Sequence, residues 1–286
     1  IIIIFNMEKE KSDAIVTTVM GEKFSKFYDK FFKESQIKFS DKIKTDFFVI
    51  DKVIEESKKH SHPSWQKLLM FRNKNIYDYK RVLFIDADVY VTRHAKNPFD
   101  GIGDEIIWSM AKNNPYNLSD YAKTDLELYA YCPKNNRPDY MLNAGVFIIK
   151  KTHSQIMENI FYEYEEQPCY DNGPFSYHLL NTPNGTILPT EFNVLILCYF
   201  KSFGQGLSSV IKVYSESSFI HFAGGPMKSI SALYIIKYID THPNSVLTRL
   251  LYLFGNKKFN FITIPILNQI NRIIASYYYR IKKRMV

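Results

Sequence analysis

Arg81-Val82-Leu83-Phe84-Ile85-Asp86-Ala87-Asp88-Val89 is the stretch that decides how this chain folds. The apolar run through Ile85 reads as a buried strand. It delivers two carboxylates, one residue apart, at its carboxyl end. Side chains alternate along a strand, so Asp86 and Asp88 can share one side while Ala87 faces away. Two hard oxygen donors on one side suit a divalent cation, above all one that also bridges phosphates. Asp-x-Asp after a strand also makes an ordinary turn, so the pair needs companions before it means chemistry.

Working outward, Ala14-Ile15-Val16-Thr17-Thr18-Val19 is a second β-branched run, ending near Gly21, and Phe24, Phe27-Tyr28 and Phe31-Phe32 follow at helical spacing. Phe47-Phe48-Val49-Ile50 reads as a strand. Pro63-Ser64 opens a helix through Trp65, Leu68, Leu69 and Phe71, with proline tolerated at its start. Residues 111–140 are polar and read as an excursion over the surface. Gly145-Val146-Phe147-Ile148-Ile149 is a fourth strand, followed by a helix through Ile156, Ile160 and Phe161. Pro168, Gly173, Pro174, Pro183, Gly185 and Pro189 make the next stretch read as loop and turn. This alternation predicts an α/β fold, a mixed and mostly parallel sheet flanked by helices. Such folds place ligands at the carboxyl ends of their strands.

Three further segments could serve a site there. Ser217-Ser218-Phe219-Ile220-His221-Phe222 reads as a short strand, and Ala223-Gly224-Gly225-Pro226 as a tight loop after it. An imidazole followed by glycines suits a metal and a phosphate in one place, with Lys228 near enough to add a positive charge. With Asp86 and Asp88 this oxygen-and-nitrogen set favours Mn²⁺ over Mg²⁺. Asn143-Ala144-Gly145 brings an amide and two tiny residues to a strand entrance, which suits sugar hydroxyls and close backbone approach. Tyr170-Asp171-Asn172-Gly173-Pro174 sets a carboxylate beside an amide. Taken singly, each also reads as a packed histidine or a solvated turn.

Composition excludes other classes. The 286 residues are 46% apolar with 11 Gly and 12 Pro, so neither disorder nor a collagen-like chain fits. Three cysteines without a C-x-x-C pair argue against a disulfide scaffold or a thiolate zinc site, and for a reducing compartment. No apolar run reaches the ~20 residues a membrane-spanning helix needs. The net charge of +8 is not evenly spread. Residues 1–240 hold 29 basic and 29 acidic residues, whereas residues 241–286 hold eight basic and no acidic ones.

Taken together and in order, these segments resemble glycosyltransferase family eight, the glycogenin and bacterial lipopolysaccharide galactosyltransferase group, whose fold is GT-A. Pro63-Ser64-Trp65-Gln66-Lys67-Leu68 looks like the family's helix before the Asp-x-Asp strand. Leu188-Pro189-Thr190-Glu191-Phe192-Asn193 looks like its Leu-Pro-x-x-Tyr-Asn segment. The resemblance implies a nucleotide-sugar donor, a UDP-hexose such as UDP-Glc or UDP-Gal, and retention of anomeric configuration. It implies Mn²⁺ (or Mg²⁺) on Asp86, Asp88 and His221. Nucleotide contacts would fall to Thr17, Thr18, Val19, Lys67, Ala87, Gly224 and Lys228. Asn143, Ala144 and Asp171 would face the donor sugar, with Asp171, Asn143 and Lys228 in catalytic roles. The chain departs from the family in two places. Lys228 stands one residue late, with Ser229-Ile230 in place of Pro-Trp, and Asp171-Asn172 replaces Asp-Gln.

Residues 7–240 are thus expected to form the catalytic domain and 241–286 a basic, amphipathic helical tail. In that tail Ile266, Ile270, Ile273, Ile274, Tyr277 and Ile281 fall at helical spacing before Lys282-Lys283-Arg284. Such a helix suits an anionic membrane surface, here through 256–286, and places the enzyme at the cytoplasmic face beside a glycan or lipid-linked acceptor. The neutral body and lack of a nucleic-acid motif argue against a nucleic-acid partner. Two alternatives remain at this point. One is a haloacid-dehalogenase-type phosphatase, whose strand also ends in Asp-x-Asp but which wants Thr or Val where this chain has Tyr90. The other is a non-enzymatic membrane or nucleic-acid-binding module with a basic tail.

Overall fold

A computed structural model of the chain describes residues 11–57, 59, 62–112, 129, 132–138, 140, 142–165, 171–224 and 229–255. Among these, the strands are β1 (Lys11–Thr18), β2 (Asp46–Ile50), β3 (Tyr79–Ile85), β4 (Val89–Val91), β5 (Trp108–Lys112), β6 (Leu142–Lys150), β7 (Gly185–Ile187), β8 (Val194–Leu195) and β9 (Phe219–His221). The helices are α1 (Glu22–Phe31), α2 (Lys33–Ile43), α3 (Lys74–Tyr77), α4 (Ser154–Glu163), α5 (Asn172–Leu180), α6 (Ile196–Phe203), α7 (Leu207–Glu216), α8 (Ile230–Thr241) and α9 (Val246–Gly255). Pro63–Arg72 is a 3₁₀ helix.

Six strands form one sheet in the order β2-β1-β3-β6-β5-β7, and β4-β9-β8 form a small second one. Pairings β2·β1, β1·β3 and β5·β7 are parallel, while β6 runs antiparallel to both β3 and β5. The sheet is therefore mixed, with β6 as the reversed strand at its centre. All nine residues of β6 are buried, as its β-branched and aromatic content requires of a strand covered on both faces. The Pro63–Arg72 helix and α4 cover one face through Trp65, Leu68, Leu69, Met157, Ile160 and Phe161.

Helix α1 begins at Gly21, whose φ of 86° lies in the region that favours glycine. It buries Phe27, Tyr28 and Phe31 and turns Lys26 and Glu22 outward as an i,i+4 pair. The segment opened by Pro63 is helical, as read, and winds as a 3₁₀ helix. Trp65 to Phe71 are all buried, so no polar face exists to wet, and Gln66 staples the preceding loop. Its carbonyl accepts from the amides of Ile54 and Glu55, and its NH₂ donates to the carbonyl of Glu55.

One expectation fails outright. The stretch after Pro168 is not all loop and turn, because α5 runs from Asn172 to Leu180 through Gly173-Pro174. Proline breaks a helix interior but not its first turn, where its missing N–H would have no partner anyway. Tail residues 246–255 are helical as expected: α9 packs on α7 and buries Leu251. Asp240 ties this end to the body, accepting from the Tyr90 and Tyr214 hydroxyls and the Arg93 amide. Residues 256–286, with the helix expected through Ile266, Ile270, Ile274 and Ile281, lie outside the described residues. No described helix is long and apolar enough to cross a membrane.

Candidate metal and donor site

The carboxyl end of β3 is where the predicted residues meet. The chain turns at Asp86, where the Val89 amide donates back to the Asp86 carbonyl, and continues as β4. The two carboxylates thus converge through a turn, not through alternation along one strand. Ala87 faces away, as expected, and is buried among the apolar residues behind the turn. Strand β9 pairs with β4 so that His221 lies opposite Val89, which brings the imidazole to the carboxylates. His221 Nε2 stands 3.2 Å from Asp88 Oδ1 and 3.8 Å from Asp86 Oδ2. One donor atom from each of the three residues fits within 4.8 Å of the others.

Lys67 completes the charge pattern. The 3₁₀ helix carries it inward until the side chain is 2% exposed. Its Nζ donates to the Ala144 carbonyl at 2.8 Å, lies 3.1 Å from Asp171 Oδ2 and 3.5 Å from Asp86 Oδ1. Three carboxylates and one ammonium leave two negative charges when His221 is neutral, the balance a divalent cation would fill. Burial favours the neutral carboxyl at Asp86 and raises it above the usual carboxylate range, despite Lys67 and His221 nearby. Burial acts the same way on Asp88, but the charge and hydrogen bond of His221 outweigh it and hold Asp88 low. Burial alone would depress His221; Asp88 and Asp86 reverse that and raise it.

The donor set fits a metal by its chemistry: two carboxylates and an imidazole nitrogen, partly open to solvent at Asp86 and Asp88. Around it lie the other expected residues. Asn143 and Ala144 open β6 beside the turn, and the Asp86 amide donates to the Gly145 carbonyl at 2.7 Å. The side chain of Ala144 is fully buried, and its amide donates to Asn172 Oδ1 at 2.8 Å. Asn172 is thus turned onto the backbone of β6. Asp171 is 1% exposed, stands immediately before α5 and turns its carboxylate to Lys67. Gly224, with φ of 81°, makes the turn out of β9. Lys228 lies outside the described residues.

Strand β1 brings Thr17, Thr18 and Val19 to the same end of the sheet. Val16 pairs with Phe84, and β1 ends two residues later at Thr18. Val19 is buried, and its amide donates to the Ile50 carbonyl. Thr17 Oγ1 is buried with no hydrogen-bond partner among the described residues, an acceptor and donor left unused.

Sequence reasoning missed Gln36. This buried α2 side chain donates to the carbonyls of both Asp86 and Val89, at 3.1 and 3.0 Å, and so holds the Asp86–Val89 turn from behind. A glutamine on an amphipathic helix, 50 residues away, carries no signal for that. Gly145 was read as a strand entrance; its deeper reason is that the His221 ring lies where a Cβ would be.

No known protein family matches the sequence, and no curated protein matches it either. Solved structures do share the fold. A glycosyltransferase involved in the glycosylation of the major capsid of PBCV-1 aligns over 78% of this chain and 98% of its own, with 14% identity and a TM-score of 0.52. The apo structure of the bifunctional glycosyltransferase WbbM aligns over 86% of this chain, with 14% identity and a TM-score of 0.54. This chain spans about half of WbbM, 52% of its length. At such identity the likeness is one of fold, and the chain has the GT-A fold.

Proposed function

We propose that this protein is a metal-dependent glycosyltransferase that moves a hexose from a UDP-sugar, UDP-Glc or UDP-Gal, to a glycan or lipid-linked glycan. The observation that carries this reading is the convergence of Asp86, Asp88 and His221 beside the Lys67–Asp171 pair at the carboxyl end of β3 in a GT-A fold. Asp86, Asp88 and His221 would hold Mn²⁺ or Mg²⁺, whose chemistry there is Lewis-acid stabilisation of the charge growing on the departing diphosphate. Thr17, Thr18 and the Val19 backbone would hold the nucleoside, with Gly224 and Lys228 at the phosphates.

Lys67 neutralises Asp171 and part of Asp86, which lets a sugar bind beside three carboxylates without a net repulsive field. Asn143 presents its NH₂ group, which makes no hydrogen bond among the described residues, to a sugar hydroxyl. Retention by double displacement would need a carboxylate nucleophile. Asp171 is buried and ion-paired to Lys67, which favours instead departure of the phosphate and attack of the acceptor on the same face, with Asp171 orienting the sugar.

Catalysis is assigned to residues 7–240 and a tail role to 241–286. The membrane-facing part would be 256–286, where seven of the eight basic residues of the tail lie. This would set the enzyme on an anionic, cytoplasmic membrane face. A panel of nucleotide sugars, read by released nucleoside diphosphate with and without Mn²⁺, tests the activity. Turnover of one UDP-hexose only with metal, and an α-linked product from an α-linked donor, is expected. Hydrolysis of simple phosphate esters instead would overturn the reading.

A further inference from the structure

Behind the metal-binding imidazole lies a chain of buried amides whose polarity can be read from the backbone. The Gly145 amide, an obligate donor, points at one side-chain atom of Asn143 at 3.0 Å, so that atom is the oxygen. The Asn193 side chain reaches the same oxygen at 2.8 Å and the Asn143 carbonyl at 3.4 Å, both acceptors, so it presents its NH₂ group there. The other atom of the Asn193 amide is therefore its oxygen. It lies 2.9 Å from His221 Nδ1. An amide oxygen can only accept, so Nδ1 carries a proton in that bond, and Nε2 is the nitrogen turned to Asp86 and Asp88.

We infer that Asn193 is a positioning residue for the metal site. By accepting from Nδ1–H it fixes the ring orientation and makes Nε2 the ligand nitrogen; the bond also makes that nitrogen more basic. Asn193 is 1% exposed and touches none of the proposed donor atoms, so it acts only through His221 and Asn143. The 3₁₀ turn Thr190–Phe192 and strand β8, which is parallel to β9 with Leu195 opposite His221, hold it at the right height. The inference rests on the metal reading proposed above.

Two variants separate this role from mere packing. Asn193→Asp and Asn193→Leu both lose the bond to Asn143, but only the leucine loses the acceptor for Nδ1–H. Mn²⁺ affinity, measured by loss of the free-ion electron paramagnetic resonance signal, should stay within about threefold of wild type for Asn193→Asp. For Asn193→Leu it should fall about 10–100-fold, the usual effect of removing a histidine's outer partner. Equal losses in both variants, or no loss in either, would overturn the inference while leaving the metal site standing. Failure of the wild type to bind Mn²⁺ would remove both. A second measurement needs no variant to fold. In wild-type protein loaded with Zn²⁺ as a diamagnetic probe, nitrogen-15 spectra should show His221 with a protonated, exchange-protected Nδ1. A ring ligated through Nδ1, or one with a freely exchanging Nδ1–H, would contradict it.

Discussion

Gly145 is the position where the smallest change should do the most damage. A Cβ built there lies 2.6 Å from His221 Nδ1 and 2.9 Å from Asn143 Oδ1, with Cε1 of the imidazole nearer still. Ordinary contact needs about 3.5–4.0 Å. The backbone has little room to give way, because β6 is fully buried, Val146 next to Gly145 is paired with Ile85 of β3, and the Gly145 carbonyl accepts from the Asp86 amide. To bring Cε1 out to ordinary contact, the ring must therefore retreat by about 1.4 Å, which stretches the 2.9 Å bond to Asn193 past hydrogen-bond range and swings Nε2 from the carboxylates. Gly145→Ala should cost about 1–3 kcal/mol of stability as an overpacked site. It should weaken Mn²⁺ binding about 10–100-fold, or about 1.4–2.7 kcal/mol. The assay is an electron paramagnetic resonance titration of Mn²⁺, run also in a His221→Ala background. There the methyl has room, so Gly145→Ala should add no further loss of affinity. Wild-type affinity in Gly145→Ala, or losses that add in the double variant, would refute the reasoning.

Three more outcomes can be checked. Asp88 and Asp86 outweigh burial and raise metal-free His221 above its ordinary range, so protons compete with a metal for it up to a higher pH than at a free imidazole. Apparent Mn²⁺ affinity should then rise with pH, by up to about tenfold per unit until the raised value is passed, and level off above it; a pH-independent affinity contradicts this. Asp240→Ala strips acceptors from Tyr90, Tyr214 and the Arg93 amide and should lower the unfolding free energy by about 2–4 kcal/mol in urea titrations, whereas a loss under about 1 kcal/mol argues that water replaces them. Removing residues 256–286 should abolish salt-sensitive flotation with anionic vesicles, each basic residue near the surface adding about 1 kcal/mol; equal flotation of both forms ends the membrane proposal.

How far the sequence could be read depended on how local each cause is. Strand β3 and its two aspartates were legible because burial on both faces demands an unbroken apolar run, and the turn residues follow at once. His221 was legible as a candidate, though its arrival beside Asp88 depends on the antiparallel pairing of β9 with β4, which no local pattern encodes. Helix α5 was hidden because Gly173-Pro174 signal a break everywhere except in a first turn. Gln36 and Asn193 were invisible as supports. A buried amide reports only that it needs partners, not which backbone, dozens of residues away, will supply them. Lys67 was expected at the nucleotide on family resemblance; its place between Asp171 and Asp86 comes from a 3₁₀ helix buried on all sides.

The central claim is that Asp86, Asp88 and His221 hold the cation on which sugar transfer depends. The most direct test is UDP release from a UDP-hexose by wild type and Asp88→Asn, each with Mn²⁺ and with chelator. Wild type should turn over only with Mn²⁺, and Asp88→Asn should fall at least about 100-fold, the scale of losing one preorganised electrostatic element. Turnover that survives the chelator, or an Asp88→Asn enzyme as fast as wild type, would contradict the account.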